Sequence, residues 1–400
     1  MLDELILELK QKDVHLYLQD GKLRCKAPPS ILNSELKSTL QNYRAELTSY
    51  LSEVQQHNQK SYPIHAISRN SYCPLSFAQQ RLWTLAQFNP CSVAYNIPSA
   101  LRLIGHLDIG ILERSLNEIV CRHEVLRTTF DMHDGQPVQV IAPVLELDIA
   151  VADLSQLSGD QRKNEVDRYL REKACRSFDL ATGPLVRAML LSLGISVSSG
   201  HAEHVLLFSM HHIISDGWST GVLVREFVAL YEAFRAGQSS PLPELTIQYA
   251  DYAAWQREWL QDERLIQQLD YWKQQLAGTP AVLELPTDRS RPAVQSYQGA
   301  DYRFTISKNI TAQLNALSQQ QGVTLFMTLL TAFNILLSRY SNQHDICVGT
   351  PVANRNRIEI EGLIGFFVNT LILRTDLSGN PAFTQLLKKV KAVCLAACRT

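Results

Sequence analysis

Net charge is the first thing this 400-residue sequence lacks, since 38 lysines and arginines stand against 39 aspartates and glutamates for a formal net charge of −1. Without a basic excess there is no general electrostatic reason to bind nucleic acid or an anionic membrane, and neither is expected as a partner. No uncharged apolar run is long enough to span a bilayer. The Met1-Leu2-Asp3-Glu4 start lacks the basic region of a secretory signal. The eight cysteines (Cys25, Cys73, Cys91, Cys121, Cys175, Cys347, Cys394, Cys398) include no Cys-x-x-Cys pair, and a reducing cytoplasm is the expected location. Neither a Gly-x-x-x-x-Gly-Lys phosphate loop nor a dinucleotide Gly-x-Gly-x-x-Gly occurs, so nothing signals ATP or NAD use.

What is present suits a folded protein of more than one domain: 46% hydrophobic and 19% charged residues over a length beyond one ordinary domain. The opening residues read as a small unit. Leu2, Leu5, Ile6 and Leu9 share a helical face. Val14, Leu16 and Leu18 then alternate up to an Asp20-Gly21 turn signal, and the returning strand puts Leu23 and Cys25 on one face and Lys22, Arg24 and Lys26 on the other. Leu36, Leu40, Tyr43, Leu47 and Leu51 mark a second helix, so that two helices cover the inner side of the hairpin and its basic face stays free. A unit so small gains from dimerisation or from a partner, and a free hairpin edge can capture an acidic peptide. A polar stretch from Val54 to Asn70 reads as a linker. Beyond it, strand-like runs such as Val138-Gln139-Val140-Ile141 alternate with helices such as Leu112 to Arg122, the pattern of an α/β sandwich. A second polar, proline-rich passage between Pro280 and Pro292 marks a lobe boundary. The expected limits are 1–54 for the small unit, 55–72 for the linker, and 73–285 and 286–400 for two lobes.

The chemistry concentrates in His211-His212-Ile213-Ile214-Ser215-Asp216-Gly217, between the apolar run Val205 to Met210 and a helix carrying Leu223, Phe227, Leu230, Tyr231 and Phe234. A loop held between a rigid strand and a rigid helix can aim one imidazole nitrogen at a reacting amine or alcohol. His212 is the candidate base. His211 must point elsewhere, because adjacent side chains on an extended backbone take opposite faces, and it is read as structural. Asp216, beside an apolar segment, stays ionised only if paired, and Arg122 and Arg127 in Arg122-His123-Glu124-Val125-Leu126-Arg127-Thr128 are the candidate partners. Gly217 permits a backbone turn or a close approach.

Two other chemistries compete. Gly217-Trp218-Ser219-Thr220-Gly221 matches the Gly-x-Ser-x-Gly elbow of serine hydrolases, but only His344 follows Ser219, and the apolar run stops well before it. His201, His204, His211 and His212 are split by a strand-length run, with no carboxylate or thiolate at ligand spacing, so no metal is expected.

Five stretches together resemble the condensation domain of nonribosomal peptide synthetases. They are Ser76-Phe77-Ala78-Gln79-Gln80-Arg81-Leu82-Trp83; Arg122 through Phe130; Met210 through Ser219; Tyr249-Ala250-Asp251-Tyr252-Ala253-Ala254-Trp255-Gln256; and Gly349 through Arg355 with Gly365-Phe366-Phe367-Val368-Asn369-Thr370. The first fifty residues resemble the N-terminal docking domain of the tubulysin-synthetase type. The resemblance implies two chloramphenicol-acetyltransferase-like lobes in a V-shaped pseudo-dimer with a central tunnel, plus a helix-hairpin-helix docking unit. It implies an acyltransferase that forms a peptide bond, the amine of one carrier-bound aminoacyl group attacking the thioester of another. His212 would serve the amine, Asp216 would pair with an arginine, and Trp218, Ser219 and Asn369 would line the tunnel or touch the pantetheine arm. No cofactor is bound directly, since partner carrier domains bring the phosphopantetheine. Arg81-Leu82-Trp83 and Asp216-Gly217-Trp218-Ser219 resemble the subtype joining an L-configured donor to an L-configured acceptor. The remaining implied partners are upstream and downstream carrier domains, an acidic C-terminal segment of an upstream synthetase protein, and a downstream adenylation domain. The family pattern continues past the position of Thr400, so the chain reads as a fragment. A condensation-like module that only recruits other proteins is the alternative from another class.

Overall fold

The structure, a computed structural model, describes residues 15–19, 22–26, 40, 48, 63–70, 72–195, 200–293 and 299–399. In the N-terminal region β1 (His15–Gln19) pairs antiparallel with β2 (Lys22–Lys26), Gln19 lying opposite Lys22 and His15 opposite Lys26, the register that a two-residue connection requires. Leu40 and Thr48 are helical; the rest of both predicted N-terminal helices lies outside the described residues.

Contacts divide the chain into two compact units, one of Pro63–Asp262 with Pro351–Thr370, the other of Met1–Tyr62, Glu263–Thr350 and Leu371–Thr400. The first is mixed α/β. Its elements are β3 (Cys73–Pro74), α1 (Phe77–Phe88), β4 (Asn96–Ile104), α2 (Ile109–Arg122), β5 (Thr128–His133), β6 (Gln136–Ile141), β7 (Ile149–Asp153), α3 (Gly159–Ala174), β8 (Val186–Ile195), β9 (Ala202–His211), α4 (Gly217–Arg235) and α5 (Tyr249–Trp259). Four strands form a sheet in the order β4-β9-β8-β7, with β7 parallel to β8 and the other pairs antiparallel. A smaller sheet runs β3-β6-β5.

Strand β9 is apolar almost throughout because both of its faces are covered. Leu206, Phe208 and Met210 join Leu112, Leu116 and Ile119 of α2 and Val222, Phe227 and Leu230 of α4 in the main core. Leu207 faces the other way and packs with Met189, Leu191 and the α3 residues Val166, Tyr169 and Leu170. The strand ends on His211, one residue beyond the apolar run, paired with Asn96 of β4. His211 therefore belongs to the strand rather than to the connecting loop. The segment Pro351–Thr370 contributes Ile360, Leu363, Ile364, Phe366 and Phe367 to the same core.

The second unit contains α7 (Lys308–Gln320), α8 (Leu325–Ser341), α9 (Phe383–Arg399) and most of α6 (Asp262–Leu276), β10 (Asp345–Val352) and β11 (Asn369–Asp376). Met327 and Leu330 of α8 pack against Leu387 and Val390 of α9 around Val323 and Leu373. Arg374 grips Asp345 with two hydrogen bonds of 2.9 and 2.7 Å, tying the two-stranded β10-β11 sheet together. No single helix among the described residues is long and apolar enough to cross a membrane.

Candidate active site

The site begins where β9 stops. The His212 backbone N–H donates to the Tyr95 carbonyl at 2.8 Å, and His212–Ile214 form one tight 3-10 turn before Asp216 caps α4. The two imidazoles turn apart. The His211 ring is buried between Tyr95 and Phe178, and its Nδ1 accepts the Ile213 N–H at 3.1 Å. Burial, aided by the neighbouring His212, pushes its pKa down to about 4. The half-buried His212 places Nδ1 2.8 Å from the Ser215 carbonyl. A carbonyl can only accept, so Nδ1 bears a hydrogen, and in the neutral ring Nε2 holds the lone pair. The Phe366 ring packs against this imidazole at 4.9 Å and fixes its plane.

Asp216 is fully buried. Its Oδ1 accepts from the Ser219 N–H (2.8 Å), the Ser219 hydroxyl (2.7 Å) and Arg355 Nη2 (3.2 Å), and its Oδ2 accepts from the Phe367 N–H at 3.0 Å. The partner guanidinium is therefore Arg355, which neither Arg122 nor Arg127 replaces. Arg122 instead donates to Glu226 of α4 at 3.0 Å, and Arg127 donates to the Ala142 carbonyl. The physical reason is distance along the chain: Arg355 arrives on a segment 139 residues away, which no local spacing could reveal. Arg355 Nη1 also donates to the carbonyls of Ile360 (2.6 Å) and Leu363 (2.7 Å), and its guanidinium lies 4.0 Å from the Phe367 ring centre. Burial lowers its pKa, and Asp216 opposes that shift.

Ser219 is also a correction. It has no exposed surface, and its hydroxyl accepts from Arg355 Nη2 (2.8 Å) and the Gly365 N–H (3.0 Å) while its own proton faces Asp216 Oδ1 (2.7 Å) or the Gly365 carbonyl (2.9 Å). A hydroxyl with both lone pairs and its proton engaged is neither a free nucleophile nor a tunnel wall. The serine-hydrolase reading fails on this contact set, and so does a direct role on a pantetheine arm.

Ile364–Phe367 form a strap pinned residue by residue. The Ile364 N–H donates to His123 Nδ1 at 3.3 Å, so His123 Nε2 carries the proton and donates to Glu226 at 2.8 Å. Burial works to raise the Glu226 pKa, but hydrogen bonds from His123 and Arg122, with the charge of Arg122, outweigh it and hold the carboxyl below its ordinary range. The Phe366 carbonyl accepts the Tyr249 hydroxyl at 2.6 Å, which leaves the Tyr249 oxygen to accept from Ser76 Oγ at 2.8 Å. Burial drives the Tyr249 pKa well up, so the phenol stays a donor. Gly365 is obligatory here, because a Cβ would lie 2.0 Å from Cδ2 of Tyr249. Gln79 of α1 supports the turn itself, donating to the Ile213 carbonyl at 3.3 Å.

The other sequence candidates lie around this node. Gly217 is exposed, and a Cβ there would meet only open space. Trp218 is 45% exposed and donates its indole N–H to the Glu361 carbonyl at 2.9 Å. Asn369 is exposed at the start of β11, its Oδ1 accepting the Thr370 N–H at 2.9 Å. On the hairpin, Arg24 is exposed; the side chains of Lys22 and Lys26 lie outside the described residues. Among the described residues, no group of three His, Cys, Asp or Glu side chains could hold a metal ion. Sequence reasoning missed Arg355, His123, Glu226, Tyr249 and Gly365 as parts of the site, although all but Glu226 stand in the five stretches that carry the family resemblance.

The burial of His211 makes stability depend on pH. With a native pKa near 4 against an ordinary 6.5, the unfolded chain takes up a proton that the native state refuses, so stability falls as pH drops through that interval. Urea unfolding at about pH 7.5 and about pH 5 checks this, with wild type expected to lose more stability than His211→Gln; equal losses would contradict it.

Comparison with known proteins supplies the lineage. The family model described as "Condensation domain" matches residues 69–400, and the "TubC N-terminal docking domain" model matches residues 2–53. A linear gramicidin synthase of Brevibacillus parabrevis is 51% identical over 353 residues, covering 88% of this chain and 7% of that protein. Malpinin synthetase of Mortierella alpina is 47% identical over 355 residues, covering 88% of this chain and 4% of that protein. The chain thus spans less than a tenth of the length of these curated relatives. Among solved structures, the complex of the X-domain and OxyB from teicoplanin biosynthesis aligns with a TM-score of 0.73 at 30% identity, covering 84% of this chain and 72% of that one. The chain belongs to the condensation-domain family of nonribosomal peptide synthetases and carries a TubC-type docking domain ahead of it.

Proposed function

We propose that this chain forms peptide bonds between carrier-bound substrates, with His212 serving the attacking amine. The observation that carries this reading is the imidazole geometry: Nδ1 is committed to the Ser215 carbonyl and the ring packs against Phe366, which leaves Nε2 as the ring nitrogen available to a substrate. An acyl thioester is already activated, so the protein has to align two reactants, manage one proton and steady a transient oxyanion. His212 Nε2 accepts a hydrogen bond from the amine, which turns the amine's own lone pair toward the thioester carbon. As the C–N bond forms and the C–S bond breaks, the proton leaves the nitrogen through the imidazole and ends on the departing thiol. The exposed Gly217 leaves room for a substrate beside the turn, and Trp218 and Asn369 belong to the substrate route.

The finer features inherited from the family are part of the same proposal. They are two acetyltransferase-like lobes at 73–285 and 286–400 in a V with a tunnel, a docking unit at 1–54, a linker at 55–72, and an L-donor, L-acceptor preference. They also include carrier domains on both sides, a downstream adenylation domain, and a cytoplasmic location. The docking unit, as a helix-hairpin-helix, would receive an acidic C-terminal segment of an upstream synthetase protein on the face of Lys22, Arg24 and Lys26, and would offer a surface for dimerisation. Likeness to the teicoplanin X-domain in its complex with OxyB favours a second reading, a recruitment module without chemistry.

His212→Ala separates the two. Dipeptide formation between two loaded carrier proteins should fall at least about 100-fold with the circular dichroism spectrum unchanged, the scale of a lost proton-transfer group. Undiminished turnover would remove the imidazole from the mechanism, and no turnover in the wild type would leave recruitment. For the docking face, an acidic peptide should bind with an affinity that weakens as salt rises and is lost in Arg24→Glu. Salt-insensitive binding would refute the electrostatic mode.

A further inference from the structure

A cavity of about 320 Å³ lies on the α3 side of the four-stranded sheet, away from the core that holds α2 and α4. Its walls are largely apolar, with Leu170 of α3 above Met189 and Leu207 of the sheet. That volume sits at the lower end of the range for small-molecule sites, which are mostly apolar with a few placed polar groups.

The polar groups are unusual in their charge balance. Lys173, Arg176 and Arg187 line the cavity. The Arg187 guanidinium is laid over the Phe178 ring at 3.9 Å and donates to the carbonyls of Arg176 (3.1 Å) and Ser177 (2.9 Å). These contacts orient it without neutralising it. Burial and the charge of Arg176 both lower its pKa, so the two guanidiniums repel each other at one wall. Among the described residues neither is in an ion pair. Lys173 approaches only its neighbour Glu172, at 3.9 Å. Glu146 and Asp148 also line the cavity, but make no ion pair with these cations. Ser209 lies in register with Pro98 on one side and Arg187 on the other, and its hydroxyl is buried without a hydrogen-bond partner.

Two like charges, one exposed and one half-buried, at the wall of an apolar hollow give an anion a favourable place to bind. We infer that this cavity binds an amphipathic carboxylate, its apolar body along Met189 and Leu207 and its head group on Arg176 and Arg187. The site stands apart from the condensation reaction, since nothing in its geometry uses His212. It lies near the catalytic turn all the same, because Phe178 touches both Arg187 and His211.

Binding can be read without turnover, so failure here leaves the catalytic proposal standing. The full 400-residue chain, labelled with ¹³C-methyl methionine, is titrated with octanoate and, separately, with octylamine. Saturable movement of the Met189 methyl with octanoate but not octylamine, with Met327 unmoved and affinity at least about tenfold weaker in Arg176→Gln, is the expected result. Arg176 is exposed, so this variant should fold. An unmoved Met189, or equal effects of the amine, or equal affinity in Arg176→Gln, would overturn the inference. A parallel titration with the mono-pantetheine thioester of octanedioate distinguishes sources: tighter binding of the thioester assigns the site to a carrier-borne group, and tighter binding of octanoate to a free carboxylate.

Discussion

A carboxylate with no exposed surface is the constraint on which the rest of this site depends. Asp216 cannot remain ionised in the core without compensation, and its four hydrogen bonds come from three places: the first turn of α4, Arg355, and the backbone of Phe367. Satisfying one charge therefore ties the His212 turn to the segment Pro351–Thr370, far along the chain. Removing either partner of such a pair typically costs about 3–5 kcal/mol, because the other is left buried and alone. The pair is thus better understood as a specification of geometry than as a net source of stability.

The geometry so specified ends at His212. The strap Ile364–Phe367 is held by His123, Ser219, Tyr249 and Asp216, and it presents Phe366 to the imidazole. The Ser215 carbonyl fixes which nitrogen of the neutral ring bears the hydrogen, and Phe366 packs against the ring. In the proposed reaction, whose acyl group is already activated, such preorganisation would supply most of the gain. The division of labour between the histidines has the same origin. His211 is desolvated and stays neutral as part of the packing, while its neighbour His212 is only half-buried.

Much of this was legible in the chain itself. The strand at β9, the helix α4 and the hairpin register follow from apolar spacing and an Asp-Gly turn, because local periodicity reports local structure. The need for an arginine beside Asp216 was also legible from charge and burial. Its identity was not, since Arg355 acts across 139 positions and nearer arginines looked equally able. Ser219 misled for a related reason: its Gly-x-Ser-x-Gly setting describes the chain neighbours, whereas its role is set by Gly365 and Arg355. The return of Pro351–Thr370 to the core of Pro63–Asp262 is likewise a tertiary fact with no local signature.

Amide hydrogen exchange in the native state tests the central claim most directly. Ser219, Gly365 and Phe367 donate their N–H groups to the node, and the account predicts that all three are strongly protected in the wild type. Arg355→Met should speed their exchange together while the amides of β8 and β9 stay slow, and Arg122→Met should leave all three slow. Rapid exchange at these amides in the wild type, or protection indifferent to Arg355→Met, would contradict it.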